Sequence, residues 1–325
     1  MIAMAKLRKC DCGQRAVYIR PWEGRPYCKN CFIRQIEKQF KRTIRKNQLL
    51  KPGEHIAVAL SAGKDSTALL YMLNDLAKSM RLKLTAITAD EGIKGYRPAA
   101  IKTAKAFCKK LGVPLHIVTF KKEFGTELDR IPKNLVKDTP WCSWCGVLRR
   151  RVLNNEARRL GCTKLAVGHN LDDEVQAVLM GIIRGDFGQF SRLGRTTASN
   201  PNWVPRIKPL REIPEKEMAL YSILRGLDIS KTVCPHAPKY FDKNLEMHAK
   251  GNLILRRRVG LFLNDLEKAH PGVKHQILRF YEKLQPKISS GDTVEVGNCA
   301  SCGEPSSREK CVVCSMLETL KNNKR

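Results

Sequence analysis

Six residues, Ser61-Ala62-Gly63-Lys64-Asp65-Ser66, follow directly on the apolar run Ile56 to Leu60 and lead into a helical pattern from Thr67 to Ala77. A strand, a tight turn and a helix start in this order aim backbone amides and the helix dipole at an anion. Ala62 and Gly63 allow close backbone approach, Ser61 and Ser66 supply hydroxyls, Lys64 supplies a point charge, and Asp65 can hold a magnesium ion. The expected guest is a polyphosphate. The loop G-x-x-x-x-G-K-[ST] of many ATPases does not fit: Val58 stands where its first glycine belongs, and Asp65 follows the lysine in place of a hydroxyl residue. Release of AMP and pyrophosphate is the expected cleavage.

With 325 residues the chain can bury one substantial core and carry smaller appendages. Its 60 Lys plus Arg against 31 Asp plus Glu leave a formal charge of +29, far beyond what solubility requires. A polyanion is the expected partner. The basic residues recur in clusters, Lys41-Arg42, Arg149-Arg150-Arg151, Arg158-Arg159 and Arg256-Arg257-Arg258, which suits a broad phosphate-tracking surface. Nucleic acid outranks a membrane, since no stretch of about 18 apolar residues is present. Met1 to Leu7 lacks the apolar core and cleavage site of a secretory signal, so the expected location is cytoplasmic. In that reducing setting thirteen cysteines point to metals rather than disulfides.

Cys10, Cys12, Cys28 and Cys31 read as a small zinc ribbon over 1–31, and Phe32, Ile33, Ile36, Phe40 and Ile44 mark a basic amphipathic linker helix over 32–53. Strands and helices then alternate: after the phosphate loop come strand Leu84 to Thr88, helix Pro98 to Leu111, strand Leu115 to Phe120, helix Gly146 to Leu160, strand Lys164 to Val167 and helix Asp172 to Ile183. This predicts an α/β fold over 54–250, a Rossmann-like parallel sheet covered on both faces. Ligands should lie at the carboxyl ends of its strands, where Ser61 to Ser66, Asp90-Glu91-Gly92 and Gly168-His169-Asn170 with Asp172-Asp173 gather polar groups. A helical segment fills 251–296. A second ribbon over 297–325 carries Cys299, Cys302, Cys311 and Cys314 at spacing typical of structural zinc.

Five cysteines remain. Cys108 and Cys162 read as buried small hydrophobes, whereas Cys142 and Cys145 form a C-x-x-C and Cys234 sits in a late Cys-Pro. The pair alone is compatible with a redox couple, half a zinc site or part of an iron-sulfur ligand set.

The Ser-x-Gly-Lys-Asp-Ser turn resembles the pyrophosphate loop of N-type ATP pyrophosphatases, where glycine usually stands at the position of Ala62. Ribbon, loop, Cys145-Gly146, Gly168-His169-Asn170-x-Asp172-Asp173, Cys234-Pro235 and second ribbon together resemble tRNA 2-thiouridine synthetases of the TtuA/NcsA type over nearly the whole chain. Cys145 to Arg150, and Leu179-Met180 to Asp186, are similar to the archaeal and eukaryotic branch that thiolates the wobble uridine, and the T-loop branch usually has lysine at the position of Arg149. The resemblance implies a 4Fe-4S cluster on Cys142, Cys145 and Cys234 with one iron left open for sulfide. It implies ATP held by Ala59, Leu60, Ser61, Gly63, Lys64, Asp65 and Ser66, with Ala89, Asp90, Gly168 and His169 around adenine and ribose. It assigns phosphate binding to Arg149, magnesium or proton handling to Asp65 and Asp173, and sulfur chemistry to Cys142 and Cys234. The partners it implies are tRNA, a ubiquitin-like sulfur carrier or inorganic sulfide, and a second copy of the chain. The implied reaction adenylates the uracil C2 oxygen, after which sulfur displaces AMP. The alternatives are the T-loop uridine, a cysteine persulfide without a cluster, another tRNA-modifying ATP pyrophosphatase, and a tRNA-binding scaffold. Cys10 and Cys12 depart from the usual C-x-x-C of the first ribbon.

Overall fold

A computed structural model describes residues 9–191, 193, 196–197, 202–237, 252–288 and 297–323. The N-terminal ribbon is an antiparallel hairpin, β1 (Tyr18–Arg20) and β2 (Arg25–Tyr27), with Tyr18 opposite Tyr27. Helix α1 (Lys29–Lys46) follows without a linker, because the Cys28 sulfur caps it by accepting from the Cys31 amide. The ribbon therefore ends inside the first turn of the helix, ahead of the boundary expected at 32. The stripe Phe32, Ile33, Ile36, Phe40 and Ile44 is buried, as its spacing requires.

The central unit alternates as the sequence predicts: β3 (His55–Ala59), α2 (Lys64–Met80), β4 (Lys83–Asp90), α3 (Arg97–Leu111), β5 (Leu115–Thr119), α4 (Phe120–Phe124), α5 (Lys133–Asp138), α6 (Trp141–Arg159), β6 (Lys164–Ala166) and α7 (Leu171–Arg184). Then come α8 (Phe187–Ser191), β7 (Thr196–Thr197), β8 (Arg206–Ile207) and α9 (Glu215–Arg225). The sheet order is β5-β4-β3-β6-β8-β7, parallel except for the β7 edge. Successive β3 residues face opposite layers: Ile56 and Val58 pack with α1, α2 and α9, while Ala57 packs with α6 residues Leu148 and Val152. The order reverses between β3 and β6, and a doubly wound sheet opens its ligand crevice at that point.

Helix α6 starts at Trp141 rather than at the expected Gly146. Pro140 occupies its N-cap, a position that needs no amide donor, and the C-x-x-C falls into the first turn. Within the helical segment expected over 251–296 lie two helices, α10 (Asn252–Ala269) and α11 (Val273–Ile288), parted at Pro271-Gly272, where Gly272 has φ +96°. The second ribbon, β9 (Gly297–Asn298) paired with β10 (Pro305–Ser306) and followed by α12 (Val312–Asn322), packs on α6. Among the described residues no helix is long and apolar enough to cross a membrane.

The first ribbon is locked to the sheet layer by a buried ion pair. Arg20 reaches both carboxylate oxygens of Glu217 on α9, at 2.7 and 2.9 Å, with both side chains almost fully excluded from water. Removing one partner of such a pair strands the other charge, at a cost of about 3–5 kcal/mol. Arg20→Leu is therefore expected to lower stability toward urea by that amount, and Arg20→Leu with Glu217→Met to recover most of it. A single variant as stable as the parent would contradict this.

Candidate active site

The ends of β3, β4 and β6 meet at the switch point. Ala59, Leu60, Ile87, Ala89, Val167, Gly168 and His169 line a cleft of about 290 Å³ together with Ser61, Gly63, Asp65 and Ser66 of the loop. The loop is closed by its own polar groups: Ser66 Oγ accepts from the Ser61 amide at 3.2 Å and donates to the Gly63 carbonyl at 3.1 Å, while Ser61 Oγ accepts from the Gly63 amide at 3.3 Å. Gly63 caps α2 with no side chain, so the first amides of α2 face the cleft. Hydroxyls, amides and helix N-terminus are the donors a polyphosphate needs.

Two small residues set this geometry. A Cβ on Gly168 would stand 3.0 Å from the Ser66 nitrogen and 3.2 Å from the Asp65 carbonyl carbon, so glycine lets β6 approach the loop. Ala62 has φ +63° and is buried, with its carbonyl accepting from the Ser230 amide at 2.8 Å. The position does need a positive φ, and the left-handed region costs a residue with a Cβ about 1 kcal/mol.

Lys64 Nζ stands 2.9 Å from both Asp65 Oδ2 and Glu215 Oε1, and its side chain is not part of the cleft wall. Burial opposes its charge, but the two carboxylates outweigh burial and hold the ammonium above its usual range. Burial pushes the Asp65 carboxyl up, against the pull of Lys64 and of Asn170, whose Nδ2 donates to Asp65 Oδ1 at 3.3 Å. Asp173 lies outside the cleft wall: it closes the α7 capping box with Asn170 and pairs with Arg256 at 2.9 Å. Asp90 is also outside, its Oδ1 accepting from the Gly92 amide at 3.0 Å. Its neighbour Glu91 takes the lining position, because adjacent strand residues point to opposite sides.

Glu91, expected among the polar groups at the β4 end, lines the cleft, and sequence reasoning missed Arg97, Arg150 and Arg206 beside it. Buried Glu91 pairs with buried Arg97 at 2.6 Å, and its Oε1 stands 3.5 Å from Arg149 and 4.0 Å from Cys145 Sγ. Arg206 is pushed down to about 10, by burial first and then by Arg150. Burial and Arg149 likewise lower Arg150. Arginines that repel one another in one wall make a site that gains from a bound anion. His169, on the accessible rim, is held down to about 4 by desolvation and then by Lys208, so its imidazole is neutral at pH 7 and can meet a base or ribose as a hydrogen-bonding ring.

Cys142, Cys145, Gly146, Arg149, Arg150 and Leu153 recur along α6 at spacings of three and four, and the last four line the cleft. One helix face thus carries two thiols in its first turn and the cleft arginines in the next. Cys234 belongs to the same neighbourhood: Cys142 Sγ contacts the His236 carbonyl at 3.8 Å, and Cys234 bears electrostatically on both Cys142 and Cys145. Burial pushes Cys145 up to about 12. Among the described residues, the groups whose ligand atoms all lie within 4.8 Å of one another are Cys10, Cys12, Cys28, Cys31 and Cys299, Cys302, Cys311, Cys314. The Cys142, Cys145 and Cys234 trio is set more widely than one tetrahedral ion requires, which fits a ligand with several metal corners.

Both ribbon sets have the chemistry of a tetrathiolate zinc site. The Cys31 amide donates to Cys28 Sγ, and the Cys311 and Cys314 amides donate to Cys299 and Cys311 Sγ. Such amides lower Cys10 and Cys299 to about 6. The one-residue spacing of Cys10 and Cys12 does not spoil the set, because Gly13 at φ +84° turns the chain back.

Gly168→Ala is expected to weaken ATP binding at least tenfold by calorimetry with the fold intact, whereas Ala62→Gly keeps ATP binding and gains up to about 1 kcal/mol in urea unfolding. Unchanged affinity in Gly168→Ala would show that the close approach is incidental.

Residues 32–231 match the model of the PP-loop domain. A probable sulfurtransferase of Methanocaldococcus jannaschii is 37% identical over 99% of this chain and 90% of its own length. Cytoplasmic tRNA 2-thiolation protein 1 of Anopheles gambiae is 36% identical over 95% of this chain and 87% of its own. Among solved structures, the U34-tRNA thiolase NcsA from Methanococcus maripaludis with its [4Fe-4S] cluster aligns with TM-score 0.79 and 36% identity, covering 98% of this chain and 97% of that one. The phosphate loop at the strand switch point, the thiol-bearing helix and these whole-length similarities place the chain in the PP-loop family of tRNA 2-thiolation sulfurtransferases.

Proposed function

We propose that this chain is an ATP-dependent tRNA sulfurtransferase that converts a wobble uridine to 2-thiouridine. The observation that carries the reading is the α6 face, which puts Cys145 one turn and Cys142 two turns before the cleft arginines Arg149 and Arg150. The U34-tRNA thiolase among the solved relatives supports the wobble position.

ATP enters with its terminal phosphates on the Ser61, Gly63 and Ser66 donors, its base against Ile87, Leu165 and Val167, and neutral His169 at the rim. Asp65 is the carboxylate placed to hold a magnesium ion. Attack by the uracil C2 oxygen on the α-phosphorus forms an oxygen–phosphorus bond and expels pyrophosphate. Arg149, Arg150 and Arg206 offset the charge that builds there. A cluster on Cys142, Cys145 and Cys234 would supply a sulfide from its iron that lacks a protein ligand. Sulfur then bonds to C2, the C2–O bond breaks, and AMP leaves with the former oxygen. Glu91 holds Arg149 toward this exchange while Arg97 balances its charge. Two zinc ions complete the structural ribbons.

Position-mapped mass spectrometry of tRNA from cells lacking this protein is expected to show loss of 2-thiouridine at the wobble position. The parent chain restores it, and Lys64→Ala does not. Loss at the T-loop uridine, or no loss, would overturn the assignment. Arg149→Ala is expected to lower kcat/KM about 10²–10³-fold with ATP affinity within threefold, and wild-type turnover would remove Arg149 from the reaction.

A further inference from the structure

Beside the nucleotide cleft lies a second groove, of about 490 Å³, between α6, the segment before β8 and the C-terminal ribbon. Its wall holds Arg150, Arg151, Arg206 and Arg308 and, among the described residues, no carboxylate. Arg150 and Arg206 also line the nucleotide cleft, and Arg206 Nη2 donates to the Arg150 carbonyl at 3.2 Å, so the two hollows share a cationic partition. At the mouth stands Trp203, 37% exposed. Its backbone is held on both sides: the Asn202 carbonyl accepts from Asn154 and Arg158, at 3.1 and 3.2 Å, and the Val204 amide donates to Asn154 Oδ1 at 3.0 Å. Arg151 is engaged by the Cys302 and Cys311 sulfurs, which leaves Arg150, Arg206 and Arg308 to a guest, and a half-exposed aromatic ring on a pinned backbone in the same wall is a stacking surface paired with a phosphate site.

We propose that this groove receives an unpaired nucleotide of the substrate RNA adjoining the reacting uridine, its base on Trp203 and its phosphate between Arg150 and Arg308. The inference rests on the tRNA reading above and extends it. A base inside a duplex has no free face to offer, so the groove selects a looped strand. The shared partition keeps that nucleotide's phosphate near the uridine that enters the first cleft. In the sequence Trp203 carried no such signal, because a lone tryptophan in a loop is as often a packing residue. Only the charge around it and the pinned backbone distinguish it.

The test measures binding of an anticodon stem-loop RNA to the full chain by fluorescence anisotropy, with ATP binding followed in parallel. Trp203→Ala is expected to weaken RNA binding about tenfold and to leave ATP affinity unchanged. Trp203→Phe recovers most of the loss, and Trp203→Leu, which restores bulk without a π-face, does not. Arg308→Ala, on the exposed rim, weakens the same RNA severalfold and flattens the salt dependence. Removing the base on one side of the target uridine weakens binding to the parent and has no further effect on Trp203→Ala. Equal affinity in parent and Trp203→Ala, or full rescue by leucine, would overturn the proposal while leaving thiolation standing. A parent chain that binds no stem-loop RNA would instead overturn the reading on which it rests.

Discussion

The regular geometry of α6 is the constraint on which the site depends. A helix advances 1.5 Å per residue, so Cys145 and Arg149 sit about 6 Å apart along one axis and on one face, with no loop to blur the relation. The remaining faces hold the helix in place. Trp144, Leu148 and Val152 are buried against the sheet layer, and the guanidinium of Arg151 reaches Cys302 and Cys311 of the second ribbon at 3.4 and 3.2 Å. A helix fixed on both sides can present thiols and arginines to one substrate at a constant offset, as the proposed two-step displacement requires.

The ribbons serve that rigidity from opposite ends of the chain. The first is tied through Arg20 and Glu217 to α9, whose Ser222 Oγ donates to the Lys64 carbonyl at 3.3 Å and whose Glu215 meets the Lys64 ammonium. The second grips α6 through Arg151 and through Arg158, which pairs with Glu304 at 2.6 Å. One ribbon thus braces the nucleotide loop and the other braces the thiol helix. Buried ion pairs of this kind add little net stability, but they penalise misplacement of either partner.

Much of this was legible in the sequence because its signals are local. The Ser61 to Ser66 turn, the two four-cysteine sets and the strand ends at Ala59, Ala89 and Gly168 follow from adjacency and spacing, and all the nucleotide residues expected there line the cleft except Lys64 and Asp90. Those two stand outside the wall for a local reason as well: Asp90 points to the other side of its strand end, and Lys64 turns to Asp65 and Glu215. Asp173, expected to handle magnesium or a proton, closes the α7 capping box. What could not be read was pairing across the fold. Arg206 beside Arg150 joins residues whose meeting depends on the strand order β3-β6-β8. The start of α6 was missed because Pro140 reads as a break and acts as an N-cap.

In the proposed reaction one helix face serves two separable steps. Anaerobic single-turnover measurement of pyrophosphate release and 2-thiouridine formation in the same reaction separates them, using the full chain and Cys145→Ser. Pyrophosphate equal in amount to thiouridine is expected from the parent, and pyrophosphate without thiouridine from the variant. Undiminished thiouridine from Cys145→Ser would contradict this.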